Sequence, residues 1–125
     1  MNILVTGGAG FVGSNLIKRL VEIYPESNIL SVDNYFTGKE SNHVDGVKYE
    51  NKSVRDFLES DYDFKPDIVF HFGEYSRVVT SFDDIEYLID TNLYSTAMLI
   101  DRCKQWGSKV IYSASSSKFA SKQKK

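Results

Sequence analysis

The chain has 125 residues, of which 42% are hydrophobic and 26% are charged, the ordinary composition of a globular protein with one domain. A formal net charge of −2 argues against nucleic-acid binding, which depends on a basic face. The single cysteine, Cys103, argues against a disulfide framework and favours a reducing, cytoplasmic location. No apolar run reaches the roughly 18 residues of a membrane span. The two separated histidines, His43 and His71, predict no metal site.

Strand-like and helix-like patterns alternate along the chain. Short apolar runs predict five strands, at 2–6, 28–32, 47–50, 67–71 and 109–113. Apolar residues at helical spacing predict three helices between them, at 13–24, 54–60 and 81–106. Ser81 with Asp84 fits a capping box at the start of the last helix, and Gly107 fits its end. The apolar face of that helix is predicted to contain Phe82, Ile85, Leu88, Ile89, Leu93, Thr96, Leu99, Ile100 and Cys103.

Strands that alternate with helices imply parallel βαβ units. We therefore predict an α/β fold with a doubly wound, Rossmann-type parallel sheet of about five strands in the order 3-2-1-4-5, which is a truncated form of that sheet. Residues 1–120 form the predicted domain, and 121–125 form a polar, lysine-rich tail.

A glycine-rich segment joins the first predicted strand to the first predicted helix. Backbone N–H groups at a helix N-terminus bind a pyrophosphate where no side chain intervenes. Gly7 is expected to make the tight turn, Gly10 to let the phosphates approach, and Gly13 to let the helix pack against the strand. The spacing is G-x-x-G-x-x-G rather than G-x-G-x-x-G, so the segment alone also fits a glycine-rich turn without a ligand.

Asp33 ends the second predicted strand, 20 residues after Gly13. A carboxylate in that place accepts both ribose hydroxyls of an adenosine and repels a 2′-phosphate, which predicts NAD rather than NADP. An Asx-turn after the strand is an alternative explanation of the same residue. The glycine segment and the acidic residue together favour a dinucleotide site.

Five segments carry a resemblance to a known family: TGGAGFVGS at 6–14, DNYFTG at 33–38, PDIVFHFG at 66–73, DTN at 90–92 and VIYSASS at 110–116. In this order they resemble the extended short-chain dehydrogenase/reductase family, in particular its NAD-dependent sugar-nucleotide epimerases and dehydratases of the UDP-glucose 4-epimerase kind. The resemblance extends over residues 1 to about 120. It implies an NAD-binding domain.

The resemblance also implies roles for individual residues. Backbone groups of Phe11 and Val12 would complete the pyrophosphate site, and Ser115 would be the catalytic serine that hydrogen-bonds a substrate oxygen. The run 115–117 also fits a polar turn, and Asn92 also fits a polar position inside a helix. The cofactor contacts that the resemblance implies, beyond the glycines and Asp33, are Phe11, Val12, Asn34, Ser53, Val54, Phe72, Gly73, Asn92 and Ser113.

Three positions depart from the family pattern. Ser53 stands where an aspartate accepts from the adenine amino group, and a neutral acceptor is weaker than a carboxylate. Ser53 and Asp56 also fit a capping box. Glu74 would place a charge beside the cofactor, and Ser95 replaces a glycine.

In the family, a Tyr-x-x-x-Lys pair after the fifth strand transfers the proton, and the sequence reaches neither that pair nor the substrate lobe. Tyr35 and Lys39 match the spacing but follow the second strand, which we interpret as a coincidence. The chain is therefore expected to be inactive alone and to bind a nucleotide-sugar only when a second polypeptide completes it. An uncovered strand edge predicts a homo-oligomer.

Three functional hypotheses stay open at this point. The chain is the NAD-binding domain of a sugar-nucleotide epimerase or dehydratase, a non-catalytic NAD-binding or assembly module, or a remnant without function. A polypeptide that supplies the Tyr-x-x-x-Lys pair would distinguish the first hypothesis from the second.

Overall fold

The computed structural model describes residues 1–60, 62–73, 86 and 89–112. These residues form five strands: β1 Asn2–Thr6, β2 Asn28–Asp33, β3 Lys48–Asn51, β4 Ile68–His71 and β5 Lys109–Tyr112. They also form three α-helices: α1 Phe11–Ile23, α2 Val54–Glu59 and α3 Ser95–Trp106. A 3₁₀ turn at Glu40–Asn42 and a π-helix at Ile89–Tyr94, which leads directly into α3, complete the elements of this part of the chain.

The five strands form one parallel sheet in the order β3-β2-β1-β4-β5. This confirms the predicted fold class and strand order. Strand β1 has the predicted bounds, and β2, β3 and β4 each differ from the predicted bounds by one residue at one end or both, as strand ends determined by local pattern usually do. Ser113, the predicted last residue of the fifth strand, lies outside the described residues.

The central strands are buried on both faces, which explains why they read as continuous apolar runs. Along β1, Ile3 and Val5 point towards α1, whereas Leu4 points towards α2 and α3. The α1 side holds the buried cluster Ile3, Val5, Ile17, Leu20 and Ile29. The other side holds Leu4, Leu30, Val32, Val54, Phe57, Leu58, Val69, Leu99 and Cys103.

The helices begin and end at residues with recognisable local chemistry. Helix α1 ends at Ile23, before Pro25, and the Ser53 hydroxyl caps α2 by accepting the Asp56 N–H at 3.0 Å. Gly107 ends α3 in the left-handed conformation, with φ of 75°, as predicted. The predicted start at Ser81 lies outside the described residues. No helix in the described ranges is long and apolar enough to cross a membrane.

The long predicted helix differs from the structure in two respects. Residues 89–94 form a π-helix rather than a continuous α-helix. Leu93 and Ile100, predicted to face the core, are 65% and 53% exposed, whereas Ser95 is buried with Leu99. A π-turn holds one residue more than an α-turn, so it shifts the face that follows it, and 3.6-residue periodicity does not reveal this shift. The predicted apolar face was therefore wrong at Leu93 and Ile100.

Cys103 lies in the core between α3 and the sheet and is 2% exposed. Burial raises the pKa of its thiol to about 11. The thiolate is the reactive form of cysteine, so at neutral pH this residue is a packing group and not a nucleophile.

Ser31 carries a buried hydroxyl on the α1 face of β2. It is 0% exposed, and its Oγ has no hydrogen-bond partner within the described part of the chain. An unpaired buried hydroxyl costs stability because water has been removed without compensation. The space at this position is restricted by Gly8, where a Cβ atom would overlap the Ser31 hydroxyl.

Ser31→Ala is expected to raise the free energy of unfolding by roughly 1 kcal/mol, because it removes an unpaired polar atom and adds no volume. Urea denaturation measures the change. Ser53→Ala is the matched control: it makes the same chemical change at a hydroxyl that caps α2, and is expected to lower stability by roughly 1 kcal/mol. A loss of stability in both variants would contradict the conclusion that the Ser31 hydroxyl is buried without a hydrogen-bond partner among the described residues.

Candidate functional site

The segment between β1 and α1 is a compact glycine turn at the carboxyl edge of the sheet. Gly7 has φ of +74°, which favours glycine, and a Cβ atom there would lie 2.8 Å from the Phe72 carbonyl. A Cβ atom at Gly13 would overlap the Gly7 carbonyl oxygen, so α1 packs closely on the turn itself rather than on β1. Among the described residues, a Cβ atom at Gly10 would meet only the Gly7 oxygen, at 3.4 Å, so these residues leave space above Gly10.

The amino end of α1 lies directly above this turn. Gly10 is the N-cap residue and supplies no side-chain cap, and the first turn of the helix contains no acidic residue. Phe11 and Val12 are the first two helical residues, and their backbone N–H groups point out of the helix end. Because the first turn contains neither a side-chain cap nor an acidic residue, this helix end is compatible with the predicted pyrophosphate position.

Asp33 lies at the end of β2 and is 9% exposed. Its Oδ2 accepts the Ala9 N–H at 2.9 Å, and its Oδ1 accepts the Tyr35 N–H at 2.8 Å. The contact with Tyr35 is the Asx-turn that was the alternative explanation of Asp33. The contact with Ala9 holds the carboxylate against the glycine turn. Each carboxylate oxygen has capacity for a further donor. A ribose hydroxyl pair and an Asx-turn are therefore compatible here.

A small cleft of about 30 Å³ joins several of the predicted residues. Its lining includes six of the predicted cofactor contacts: Gly7, Asp33, Asn34, Ser53, Val54 and Gly73. Val32, Lys52 and Ser95 also line the cleft, although the sequence analysis predicts no cofactor role for them. Ser95 had one sequence signal, since it departs from the family's glycine. The cleft brings together the ends of β1, β2 and β4 with the start of α2.

A buried hydrogen-bond network supports the floor of the site. Thr6 Oγ1 accepts the N–H groups of Phe72 and Gly73 at 3.0 and 2.9 Å, and lies 2.5 Å from His71 Nδ1. Since Thr6 Oγ1 already accepts two bonds, its own hydrogen goes to Nδ1, and His71 then donates from Nε2 to Thr96 Oγ1 at 2.8 Å. His71 is therefore a neutral structural group that fixes the backbone after β4. The sequence did not predict this role for Thr6.

The remaining predicted residues have mixed outcomes. Asn92 lies in the π-helix, a type of turn that is frequent at functional sites. Ser113 and the predicted catalytic Ser115 lie outside the described residues, as does Glu74. Their roles stay predictions.

Tyr35, directly beyond the Asx-turn, has φ of +61°. A bulky residue in the left-handed region costs about 1–3 kcal/mol and persists only when the surrounding structure imposes it. Its phenol lies 2.5 Å from His43 Nε2, and the His43 ring stacks on Tyr49 with centroids 3.7 Å apart. This left-handed residue lies next to the Asp33 side chain, whose Oδ1 accepts its N–H.

A larger cavity of about 810 Å³ lies at the opposite edge of the sheet, where its lining includes Asn2 and Asn28 at the starts of β1 and β2. Ligands of open α/β sheets bind outside the carboxyl ends of the strands. We therefore locate the candidate site at the small cleft, which lies at the carboxyl ends of the strands, and not in the larger cavity.

The strand order, the glycine turn below a helix N-terminus and the acidic residue ending β2 define a Rossmann-type nucleotide-binding domain. The family model described as the NAD dependent epimerase/dehydratase family matches residues 3–125. The chain belongs to this family.

Three epimerases are similar to this chain in sequence, and two of them are solved structures with a similar fold. An ADP-L-glycero-D-manno-heptose-6-epimerase from Nitratidesulfovibrio vulgaris is 31% identical over 121 residues, which are 93% of this chain and 36% of that protein. The Thermotoga maritima UDP-glucose 4-epimerase, solved with UDP-glucose, has a TM-score of 0.81 and 30% identity, covering 92% of this chain and 38% of that one. The Thermus thermophilus UDP-glucose 4-epimerase complex with NAD has a TM-score of 0.73 and 32% identity, covering 86% and 35%.

Gly10→Val is expected to abolish dinucleotide binding and leave the fold intact, because the new side chain enters the open space above the turn. Titration calorimetry measures binding, and circular dichroism measures the fold. Gly13→Ala is the contrasting variant: its Cβ atom would overlap the Gly7 carbonyl oxygen, so both fold and binding should be lost. Full affinity in a folded Gly10→Val protein would refute the phosphate role of the turn.

Proposed function

We propose that the chain binds NAD at the carboxyl edge of the sheet, as the cofactor domain of a sugar-nucleotide epimerase or dehydratase. The observation that carries the proposal is the Asp33 carboxylate, which is held beside the glycine turn by the Ala9 N–H at 2.9 Å. In this arrangement a carboxylate suited to accept from a ribose and a helix end suited to hold a phosphate are adjacent, which supports the proposal. The NAD complex of the Thermus thermophilus relative supports the choice of cofactor.

Each part of the site would hold a different part of the cofactor. The N–H groups at the start of α1 would hold the pyrophosphate, and Asp33 with Asn34 would hold the adenosine ribose. Ser53 and Val54 line the cleft at the start of α2, on the adenine side. Phe72 and Gly73, fixed by Thr6, would support the nicotinamide half. When bound, NAD supplies the hydride acceptor of the family's chemistry.

The complete activity is a further proposal, because the chain spans only 35–38% of the relatives named above. Epimerase and dehydratase chemistry needs a proton-transfer group, which in the resemblance is a Tyr-x-x-x-Lys pair. We propose that a nucleotide-sugar binds only where further polypeptide supplies that pair, and that Ser115 then contacts the substrate. The single buried cysteine supports a cytoplasmic location.

Asp33→Asn is expected to weaken NAD binding roughly 30-fold and to narrow the preference for NAD over NADP. The loss corresponds to about 2 kcal/mol of charge-assisted hydrogen bonding to the ribose, and the repulsion of a 2′-phosphate disappears with the charge. Titration calorimetry with both nucleotides measures it, and Asp33→Ala should act in the same direction. Asp63→Asn, at the opposite edge of the sheet, is the matched control. Equal wild-type affinity for NAD and NADP would contradict the proposal.

We also propose that the chain forms a homodimer. Strand β5 is the outermost strand of the described sheet and is exposed at all four residues. Leu93 and Ile100 are seven residues apart on one face and lie more than half exposed. Exposed apolar surface and an open strand edge both favour association.

Leu93→Glu is expected to reduce the mass measured by light scattering about twofold, from dimer to monomer, because a buried unpaired charge opposes association. Ile23→Glu is the matched control: Ile23 is 52% exposed near the end of α1, so the dimer should persist. A wild-type protein that is monomeric at high micromolar concentration would exclude the dimer.

A further inference from the structure

The loop at residues 34–43 folds back onto the glycine turn. The Lys39 N–H and the Asn42 side-chain amide both donate to the Ala9 carbonyl, at 3.0 and 2.7 Å. Ala9 is completely buried, and its own N–H is the group that binds Asp33 Oδ2. The loop therefore binds the carbonyl of Ala9, and the Asp33 carboxylate binds the N–H of the same residue.

The loop also contacts the Asp33 carboxylate directly. A Cβ atom at Gly38 would lie 2.8 Å from Asp33 Oδ2 and 3.0 Å from the Ala9 Cβ. On this side of the carboxylate there is no room for one added carbon atom. Among the described residues, the cleft lined by Asp33 and Ser53 leaves another side of the carboxylate open to a ligand.

Three aromatic rings connect the loop to β3. The Tyr35 hydroxyl lies 2.5 Å from His43 Nε2, and the His43 ring stacks on Tyr49 with an interplanar angle of 5°. The Tyr49 hydroxyl accepts the Val44 N–H at 2.8 Å, which fixes the ring at the loop's end. We call Tyr35, His43 and Tyr49 the ring clamp.

The protonation of the clamp suits a stable hydrogen bond. Burial raises the pKa of the Tyr35 phenol, with smaller contributions in the same direction from Asp33, Tyr49 and Glu40. The phenol therefore keeps its hydrogen at neutral pH and can donate it to His43 Nε2. Tyr35 itself has a left-handed backbone and donates its N–H to Asp33 Oδ1, so the clamp fixes a residue that binds the carboxylate directly.

We propose that the ring clamp positions the Asp33 carboxylate and closes the loop beside it, and thereby sets the selectivity of the site for NAD over NADP. The inference rests on the proposed NAD binding. With the clamp formed, Gly38 occupies the space next to Oδ2 that a 2′-phosphate needs. With the clamp broken, the loop keeps its two bonds to the Ala9 carbonyl, but Tyr35 no longer fixes Oδ1, so the carboxylate can turn away from the ribose hydroxyls and leave more room for a 2′-phosphate. The three rings act through Asp33 as positioning residues.

The test is a double-mutant cycle of Tyr35→Phe and His43→Phe on the full chain, with NAD and NADP titrated by calorimetry. Both single variants keep an aromatic ring and lose only the hydrogen bond. Each should weaken NAD binding about fivefold without weakening NADP binding, so that the affinity ratio falls about fivefold. The double variant should lose no more than either single variant, because one bond is removed in all three.

Tyr24→Phe is the matched control, since Tyr24 is 47% exposed at the end of α1. It should leave both affinities unchanged. An unchanged ratio in the clamp variants, or an equal loss for both nucleotides, would overturn the clamp and leave the proposed function standing. A wild-type chain that binds neither nucleotide would instead refute the proposed function. Circular dichroism confirms that each variant is folded.

Discussion

The Asp33 carboxylate joins three segments of the chain that are separate in the sequence. It accepts the Ala9 N–H at 2.9 Å and the Tyr35 N–H at 2.8 Å, and Gly38 packs closely on its Oδ2. A carboxylate that is 9% exposed needs such donors, because burial of an unpaired charge costs several kcal/mol. The glycine turn, the end of β2 and the following loop must therefore adopt mutually compatible positions. The geometry of the carboxyl edge depends on this requirement.

The sheet and the glycine turn were predictable because their causes are local. A parallel strand buried on both faces, such as β1, must be apolar at every position, so its sequence identifies it without a partner. Gly7 has a positive φ, and there is no room for a Cβ atom at Gly13, so both positions require glycine and can be recognised in the sequence. Asp33 was found by its distance from the turn. These features together were sufficient to predict the strand order and the position of the cleft.

Other features depend on tertiary contacts that leave no periodic signal. The π-helix at 89–94 moves Leu93 to the surface and turns Ser95 into the cleft, although the sequence there reads as an uninterrupted helix. Tyr35 has a left-handed backbone, and its hydroxyl contacts the His43 ring eight residues further along the chain. The role of Thr6 is similar, since three of its hydrogen-bond partners come from the end of β4. Pattern analysis cannot find such pairs because their residues are far apart in the sequence.

The described residues contribute side chains to one half of the cleft and backbone groups to the other half. On the adenosine side, side chains contact the proposed ligand position directly, through Asp33, Asn34 and Ser53. On the other side the chain contributes backbone, which the neutral His71 and Thr6 hold in place. None of the described groups there is suited to remove a proton from a sugar hydroxyl, since His71 is 1% exposed with both ring nitrogens bonded. The described residues therefore supply the groups that would anchor the proposed dinucleotide, and they supply no base for the proposed proton transfer.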